Sequence, residues 1–243
     1  MQPDPVYISI LRDPVKQLES AFTFFNIDKA IYGVWYSLSF EAFMKRPKLF
    51  TPRINKDKQP YIHNNQMYDF GLDEENFKNI DFINKTIRQL DREMDLVLIN
   101  EFYEESLVLL SKVLCWDLQD MVYISTNMRG RQHIHHKIGK DLRRQIRGWN
   151  SADVMLYDYF VKRLHERIAE YGPSFADDFA TFKRLQFNFE TNCPAKKSKM
   201  ETSKTHLNDN DQARCNYFRG SAAEMDARLR KAMKKKIEGN VKD

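Results

Sequence analysis

The stretch ISILRDPVKQLES, Ile8 to Ser20, decides the fold. Val6, Tyr7, Ile8, Ile10 and Leu11 form an almost unbroken apolar run, the pattern of a parallel strand covered on both faces. Pro14 suits the first turn of a helix, where its missing N–H would have been unpaired in any case. Val15, Leu18, Phe22 and Phe25 then recur at helical spacing, so Pro14 to about Asn26 is expected as an amphipathic helix. Ser20 lies two residues, about 200°, from Leu18 on that wheel and points away from the packed stripe.

An arginine at the carboxyl end of a parallel strand, with a hydroxyl on the next helix, forms a candidate anion clamp. Ligands of open α/β sheets sit in that crevice, and the guanidinium fork matches phosphate. The plainer reading of the same residues is a turn in which Arg12 pairs with Asp13 or Asp28 and Ser20 is solvated.

Further elements follow from the same reasoning. Asp95 to Asn100 (DLVLIN) is a second apolar run of strand length, with a helix from Glu104 to Leu114 after it, and Met121 to Ser125 (MVYIS) is a third expected strand. Asp73 is the expected N-cap of a helix with Phe77, Ile80, Ile87 and Leu90 on its apolar stripe and Met94 at its end. Gly33 to Gln66, divided by Pro47, Pro52 and Pro60, reads as a long irregular excursion with a short helix near Ser39 to Met44. Helices are expected over Gly139 to Gly148, Ser151 to Tyr171 and Ser174 to about Asn192, with Ser151 and Ser174 as N-caps and Gly172-Pro173 as the stop between the last two. From Pro194 the composition turns polar. Residues 195 to 215 are expected to be disordered, ahead of a basic helix from Ser221 to about Ile237. The expected organisation is a domain over 1 to 192 and a polar tail over 193 to 243.

Composition bounds the function. The chain has 243 residues, 42% of them hydrophobic and 30% charged, a formal charge of +5, and no apolar run of the roughly 20 residues a membrane span needs. The charge is weak evidence for nucleic acid, and no RRM, KH or helix-turn-helix signature is present. Three cysteines cannot all pair within one molecule. Cys115 in the run VLCW is expected as a buried thiol, while Cys193 and Cys215 can form a disulfide that sequence alone does not decide. Asn84-Lys85-Thr86 fits a glycosylation sequon.

Four blocks carry a resemblance: LRDPVKQLESAFTFF (Leu11 to Phe25), NNQMYDFGLD (Asn64 to Asp73), LDREMDLVLINEFYEESLVLLSKVLCW (Leu90 to Trp116) and IRGWNSADVMLYDYF (Ile146 to Phe160). In this order they resemble the galactose 3-O-sulfotransferases, the family of galactosylceramide sulfotransferase, over roughly residues 5 to 190. The resemblance implies an α/β fold: a P-loop NTPase-like sulfotransferase domain with a parallel sheet flanked by helices, N-terminally incomplete, with a helical C-terminal part. It implies transfer of a sulfuryl group from PAPS (3′-phosphoadenosine 5′-phosphosulfate) to the 3-hydroxyl of a terminal galactose on a glycolipid or glycan. No metal is implied, and a location at the Golgi membrane or lumen is.

By the same resemblance Arg12 and Ser20 hold the 3′-phosphate of PAPS, and Arg129, placed after the third expected strand, joins them. The family's phosphosulfate-binding loop precedes the Arg-x-Pro strand, whereas five residues precede it here. The isolated chain is therefore expected to be inactive. The competing class is a non-catalytic remnant that binds an anion or glycan.

The catalytic base is left open. His63, just before the NNQMYDFG block, is the best-placed imidazole, against a plain reading as a surface loop histidine. Glu101 follows the second strand, and Glu104 and Glu105 open the next helix, where acids oppose the helix dipole. His133, His135 and His136 have poor zinc spacing, and the basic span Arg129 to Arg147 reads mostly as a solvated helix. Lys204-Thr205-His206 looks like part of a phosphate loop but has no strand before it. Asn64, Asn65, Tyr68 and Asp69 offer hydrogen bonds and an aromatic face to a sugar. Trp35, Trp116 and Trp149 are expected in the core, with Trp149-Asn150 setting the angle between two helices.

Overall fold

The computed structural model describes residues 5–33, 38–124 and 138–193 together with Cys215, Ala227, Arg230 and Lys231. In chain order the elements are β1 (Ile8–Leu11), α1 (Pro14–Phe24), α2 (Ile27–Tyr32), α3 (Phe40–Lys45), α4 (Pro47–Phe50), α5 (Asn65–Asp69), α6 (Ile80–Glu93), β2 (Leu96–Ile99), α7 (Tyr103–Leu114), α8 (Lys140–Trp149), α9 (Ser151–Tyr171) and α10 (Ser174–Asn192). The described residues are thus mostly helical, around one small parallel sheet. They divide into two compact units, one of residues 1–116 and 133–179 and one of residues 117–132 and 180–243.

β1 and β2 pair in parallel with Ile8 opposite Leu96 and Leu11 opposite Ile99. All four residues of β2 are buried, and α7 and α9 pack against it. β1 departs from the expectation of a strand covered on both faces, because Ile8 and Ile10 are 47% and 49% exposed. Both strands are edges of the two-stranded sheet, so the difference lies in what packs on their faces: α7 and α9 lie against β2, and an apolar run records the strand without recording what covers it. The third expected strand is absent among the described residues. Leu118–Met121 is instead a 3-10 turn, Val122 to Ile124 belong to no strand, and Ser125 lies outside the described residues.

The excursion after α2 is more ordered than its prolines implied. Ser39 caps α3 by accepting from the Ala42 N–H at 3.1 Å, and 3-10 turns cover Thr51–Arg53 and Gln59–Ile62. Its apolar residues build the main core. Phe40, Phe43, Phe50, Ile54 and Ile62 close over Val15, Leu18 and Phe22 of α1, with the Phe22 ring 5.2 and 5.4 Å from those of Phe40 and Phe43.

Three helix starts differ from expectation. Asp73 precedes a 3-10 turn over Glu74–Asn76, and Asn79 is the residue that caps α6, accepting from the Phe82 N–H at 3.1 Å. Ser151 and Ser174 are the first residues of α9 and α10 rather than their caps. Gly172 ends α9 at φ +85°, a conformation that favours glycine. Within the second unit, Gln186 on α10 accepts from the Tyr123 N–H at 3.0 Å and donates to the Tyr123 carbonyl at 2.9 Å, and Cys193 is joined to Cys215. Of the expected last helix, Ala227, Arg230 and Lys231 are described, and all three are helical.

Candidate functional site

The carboxyl ends of β1 and β2 carry the polar cluster of interest. Because Leu11 and Ile99 are register partners, Arg12-Asp13 and Asn100-Glu101 leave the sheet side by side. Asp13 caps α1, its Oδ1 accepting from the Val15 N–H at 2.7 Å, while its Oδ2 faces Arg143 Nη1 at 3.6 Å. The Asp13 N–H donates to Glu101 Oε2 at 3.0 Å, and the Tyr157 hydroxyl donates to the same oxygen at 3.1 Å. Glu101 Oε1 forms an ion pair with Lys16 Nζ at 3.2 Å. Burial, reinforced by the Glu101 charge, raises the Tyr157 pKa, so the hydroxyl stays a donor. Glu101 is thereby a hub of the turn after β1, which favours its structural reading.

Arg12 is held by its backbone. Its N–H donates to Gln66 Oε1 at 2.8 Å and its carbonyl accepts from Gln66 Nε2 at 3.0 Å, so one side-chain amide stands in for a neighbouring strand. The guanidinium is left available. Among the described residues it forms no ion pair with Asp13, Asp28 or any other acid, and its Nε is buried without a hydrogen-bond partner. A buried unpaired donor costs about 1 to 3 kcal/mol, more when charged. An anionic acceptor at that nitrogen would remove the cost.

The NNQ block that supplies Gln66 is a clamp between β1 and α9. Asn64, at φ +47°, donates its N–H to Asn150 Oδ1 at 2.7 Å, and its Oδ1 accepts from the Ala152 and Asp153 N–H groups at 3.0 and 3.1 Å. Asp153 returns the bonds, accepting from the Gln66 and Met67 N–H groups at 3.2 and 2.8 Å. Burial is the largest influence on Asp153 and raises its pKa to about 7, against the lowering effect of those two bonds.

This arrangement corrects the sugar-contact expectation for two residues. Asn64 is buried in the clamp, and Asn65 is buried with its Oδ1 accepting from Gln17 at 3.1 Å and its amide donating to Asp69 at 3.1 Å. Tyr68 and Asp69 remain exposed. His63 is neither a surface loop residue nor a free base. Its ring stacks on Trp149 at 4.0 Å and meets Phe77 edge-on at 5.1 Å, and burial lowers its pKa to about 4.

The other expected residues are placed as follows. Ser20 is half-buried on α1, and its hydroxyl has no hydrogen bond among the described residues. Glu104 and Glu105 lie in the first turn of α7, as expected. Trp149 is partly buried at the α8–α9 joint and donates to the Ile62 carbonyl at 2.7 Å. Trp116 contradicts the core expectation at 57% exposure, and Cys115 is an exposed free thiol. Both sit past the end of α7, where Cys115 turns the chain at φ +52° and its apolar neighbours VL stay behind in the helix. Arg129, the three histidines at 133, 135 and 136, Trp35 and Lys204 to His206 lie outside the described residues. Gln66, Asp153 and Tyr157 were missed by sequence reasoning, although all three fall inside the resembling blocks. A shallow pocket at the opposite, amino end of β2 is lined by Asp91, Leu96, Val97, Phe160, Arg163 and Arg167 and includes neither Arg12 nor Ser20.

The cluster at the strand ends lies inside a stretch that known proteins share. The model of the galactose-3-O-sulfotransferase family matches residues 1–232. The chain belongs to this family. Mouse galactose-3-O-sulfotransferase 3 is 34% identical over 174 residues, covering 71% of this chain and 40% of the relative. Human galactose-3-O-sulfotransferase 2 is also 34% identical over 174 residues, covering 71% and 43%. Human galactosylceramide sulfotransferase is 27% identical over 194 residues, covering 77% and 44%. This galactose-3-O-sulfotransferase family member thus spans about two fifths of the length of the curated relatives it matches. No solved structure matches it.

Proposed function

We propose that this chain carries the nucleotide-anchoring part of a P-loop NTPase-like sulfotransferase that moves a sulfuryl group from PAPS to the 3-hydroxyl of a terminal galactose on a glycolipid or glycan. In that reaction the acceptor oxygen attacks sulfur, the bond between sulfur and the 5′-phosphate oxygen breaks, and the acceptor proton passes to a base. Adenosine 3′,5′-bisphosphate leaves. Arg12 and Ser20 are assigned to its 3′-phosphate, and Arg129 is assigned there on sequence alone. The observation that carries the reading is the buried Arg12 Nε without a partner, at the carboxyl end of a parallel strand. Family membership and the relatives' names support the reaction class.

Of the base candidates, Glu101 accepts from the Asp13 N–H and the Tyr157 hydroxyl and pairs with Lys16, and His63 is packed between rings. The isolated chain is proposed to bind the nucleotide without transferring sulfate. A Golgi-lumen location belongs to the proposal, and the Cys193–Cys215 bridge supports an oxidising compartment.

Calorimetric titration with adenosine 3′,5′-bisphosphate tests the anchor. Arg12→Ala is expected to lose about 1.5 to 3 kcal/mol of binding, and Ser20→Ala about 1 kcal/mol. An affinity unchanged in Arg12→Ala would end the reading.

A further inference from the structure

Residues 45 to 58 read KRPKLFTPRINKDK and hold Lys45, Arg46, Lys48, Arg53, Lys56 and Lys58 against the single acid Asp57. Their net charge of +5 equals that of the whole chain. Burial sorts the segment into two sides. Phe50 and Ile54 enter the core, while Lys45, Arg46, Lys48, Arg53 and Lys56 are exposed. Lys58 reaches back to donate to the Phe25 carbonyl at 3.2 Å, which ties the segment to the end of α1.

At that junction the apolar surface is also outward. Phe25 stacks on Tyr61 at 4.2 Å, and Phe24 meets Phe25 edge-on at 5.0 Å while remaining 77% exposed. Leu49, next to Lys48, is exposed as well. Cations and uncovered apolar side chains therefore share one segment and its anchoring helix end.

The structure assigns this face to an anionic lipid surface. Basic side chains hold the headgroups of such a surface, while Phe and Leu enter the boundary between headgroup and acyl chain. Lys and Arg stems accommodate both by lying along apolar surface with their charges in water. A polyanionic glycan would match the five exposed cations but would offer Phe24 and Leu49 no apolar phase. The inference is independent of the Arg12 site; for a chain in the Golgi lumen the surface is an anionic lumenal leaflet, and phosphatidylserine supplies only the negative charge of the probe vesicles.

Co-sedimentation of the full chain with phosphatidylcholine vesicles, with and without phosphatidylserine, tests it. The native chain is expected to bind the phosphatidylserine vesicles. Lys48→Glu, Arg53→Glu and Lys56→Glu together are expected to weaken that binding roughly tenfold or more. Phe24→Ser with Leu49→Ser weakens it too, and Arg88→Glu with Arg92→Glu, on the exposed face of α6, leaves it unchanged. Far-UV circular dichroism melting checks that each variant is folded. Equal binding to both vesicle types, or vesicle binding that survives in both patch variants, overturns the assignment. So does retention on a sulfated polysaccharide by a native chain that ignores the vesicles, which would give the face to an acidic glycan.

Discussion

Gln66 closes both hydrogen bonds of its side-chain amide on the backbone of Arg12, although 54 residues separate the two in sequence. The position of the candidate anchor is therefore set from outside the strand that carries it. Gln66→Ala is expected to cost about 1 to 3 kcal/mol of stability, read as a fall in the urea midpoint, and to weaken adenosine 3′,5′-bisphosphate binding as the turn loosens.

Arg12 itself predicts the opposite pattern. Its Nε is a buried donor without a partner, so Arg12→Met removes an unmet demand while keeping the stem's packing. Thermal unfolding of Arg12→Met is expected to match or exceed that of the native chain while nucleotide binding falls. A large loss of stability would mean that the guanidinium is already satisfied in the folded protein.

Asp153 and His63 give opposing pH dependences. Asp153 titrates near 7 when folded and near 3.8 when unfolded, so the folded state holds the extra proton between those values. Its contribution is fully present below the unfolded value and is lost as pH rises through about 7. His63 titrates near 4 when folded against 6.5, so its contribution is present above 6.5 and lost as pH falls towards 4. Denaturant melts across pH 4 to 7 should show Asp153→Asn removing a downward slope with rising pH and His63→Gln removing an upward one.

Asn64 combines a left-handed backbone with a cap for another helix. Asn64→Gly loses the cap alone, at about 1 to 2 kcal/mol. Asn64→Ala adds the strain of a Cβ at positive φ, roughly 1 kcal/mol more. Chemical denaturation should rank the native chain above Asn64→Gly and Asn64→Ala last.

The Cys193–Cys215 bridge closes a loop of 22 residues. Its loss in Cys193→Ser is expected to destabilise the second unit, which holds the α10 residues from 180 onward, by about 3 kcal/mol. Hydrogen exchange along residues 180–192, compared with and without reductant, measures this.

What the sequence disclosed was local. Pro14 after an apolar run marked the strand-to-helix step, and LVLI marked β2, because steric and capping preferences act over a few residues. What it withheld depended on distant partners. Ile8 and Ile10 resemble β2 in composition, yet they are exposed where β2 is covered by α7 and α9. Asn64 and Asn65 read as free polar groups because the Ala152 and Asp153 N–H groups that occupy the first lie 88 and 89 residues away, and the Gln17 amide that donates to the second lies 48 residues away. His63 lost its apparent basicity to burial between the Trp149 and Phe77 rings, which lie far away in sequence or on another element.

α9 lacks a capping side chain of its own, and the amides of its opening turn are satisfied from Asn64. The side-chain cap of that turn is therefore completed by a long-range encounter whose loop-closure entropy must be met first. Chain assembly thus links the longest of the described helices to the segment that steadies the candidate anchor, since Asn64 and Gln66 are two residues apart.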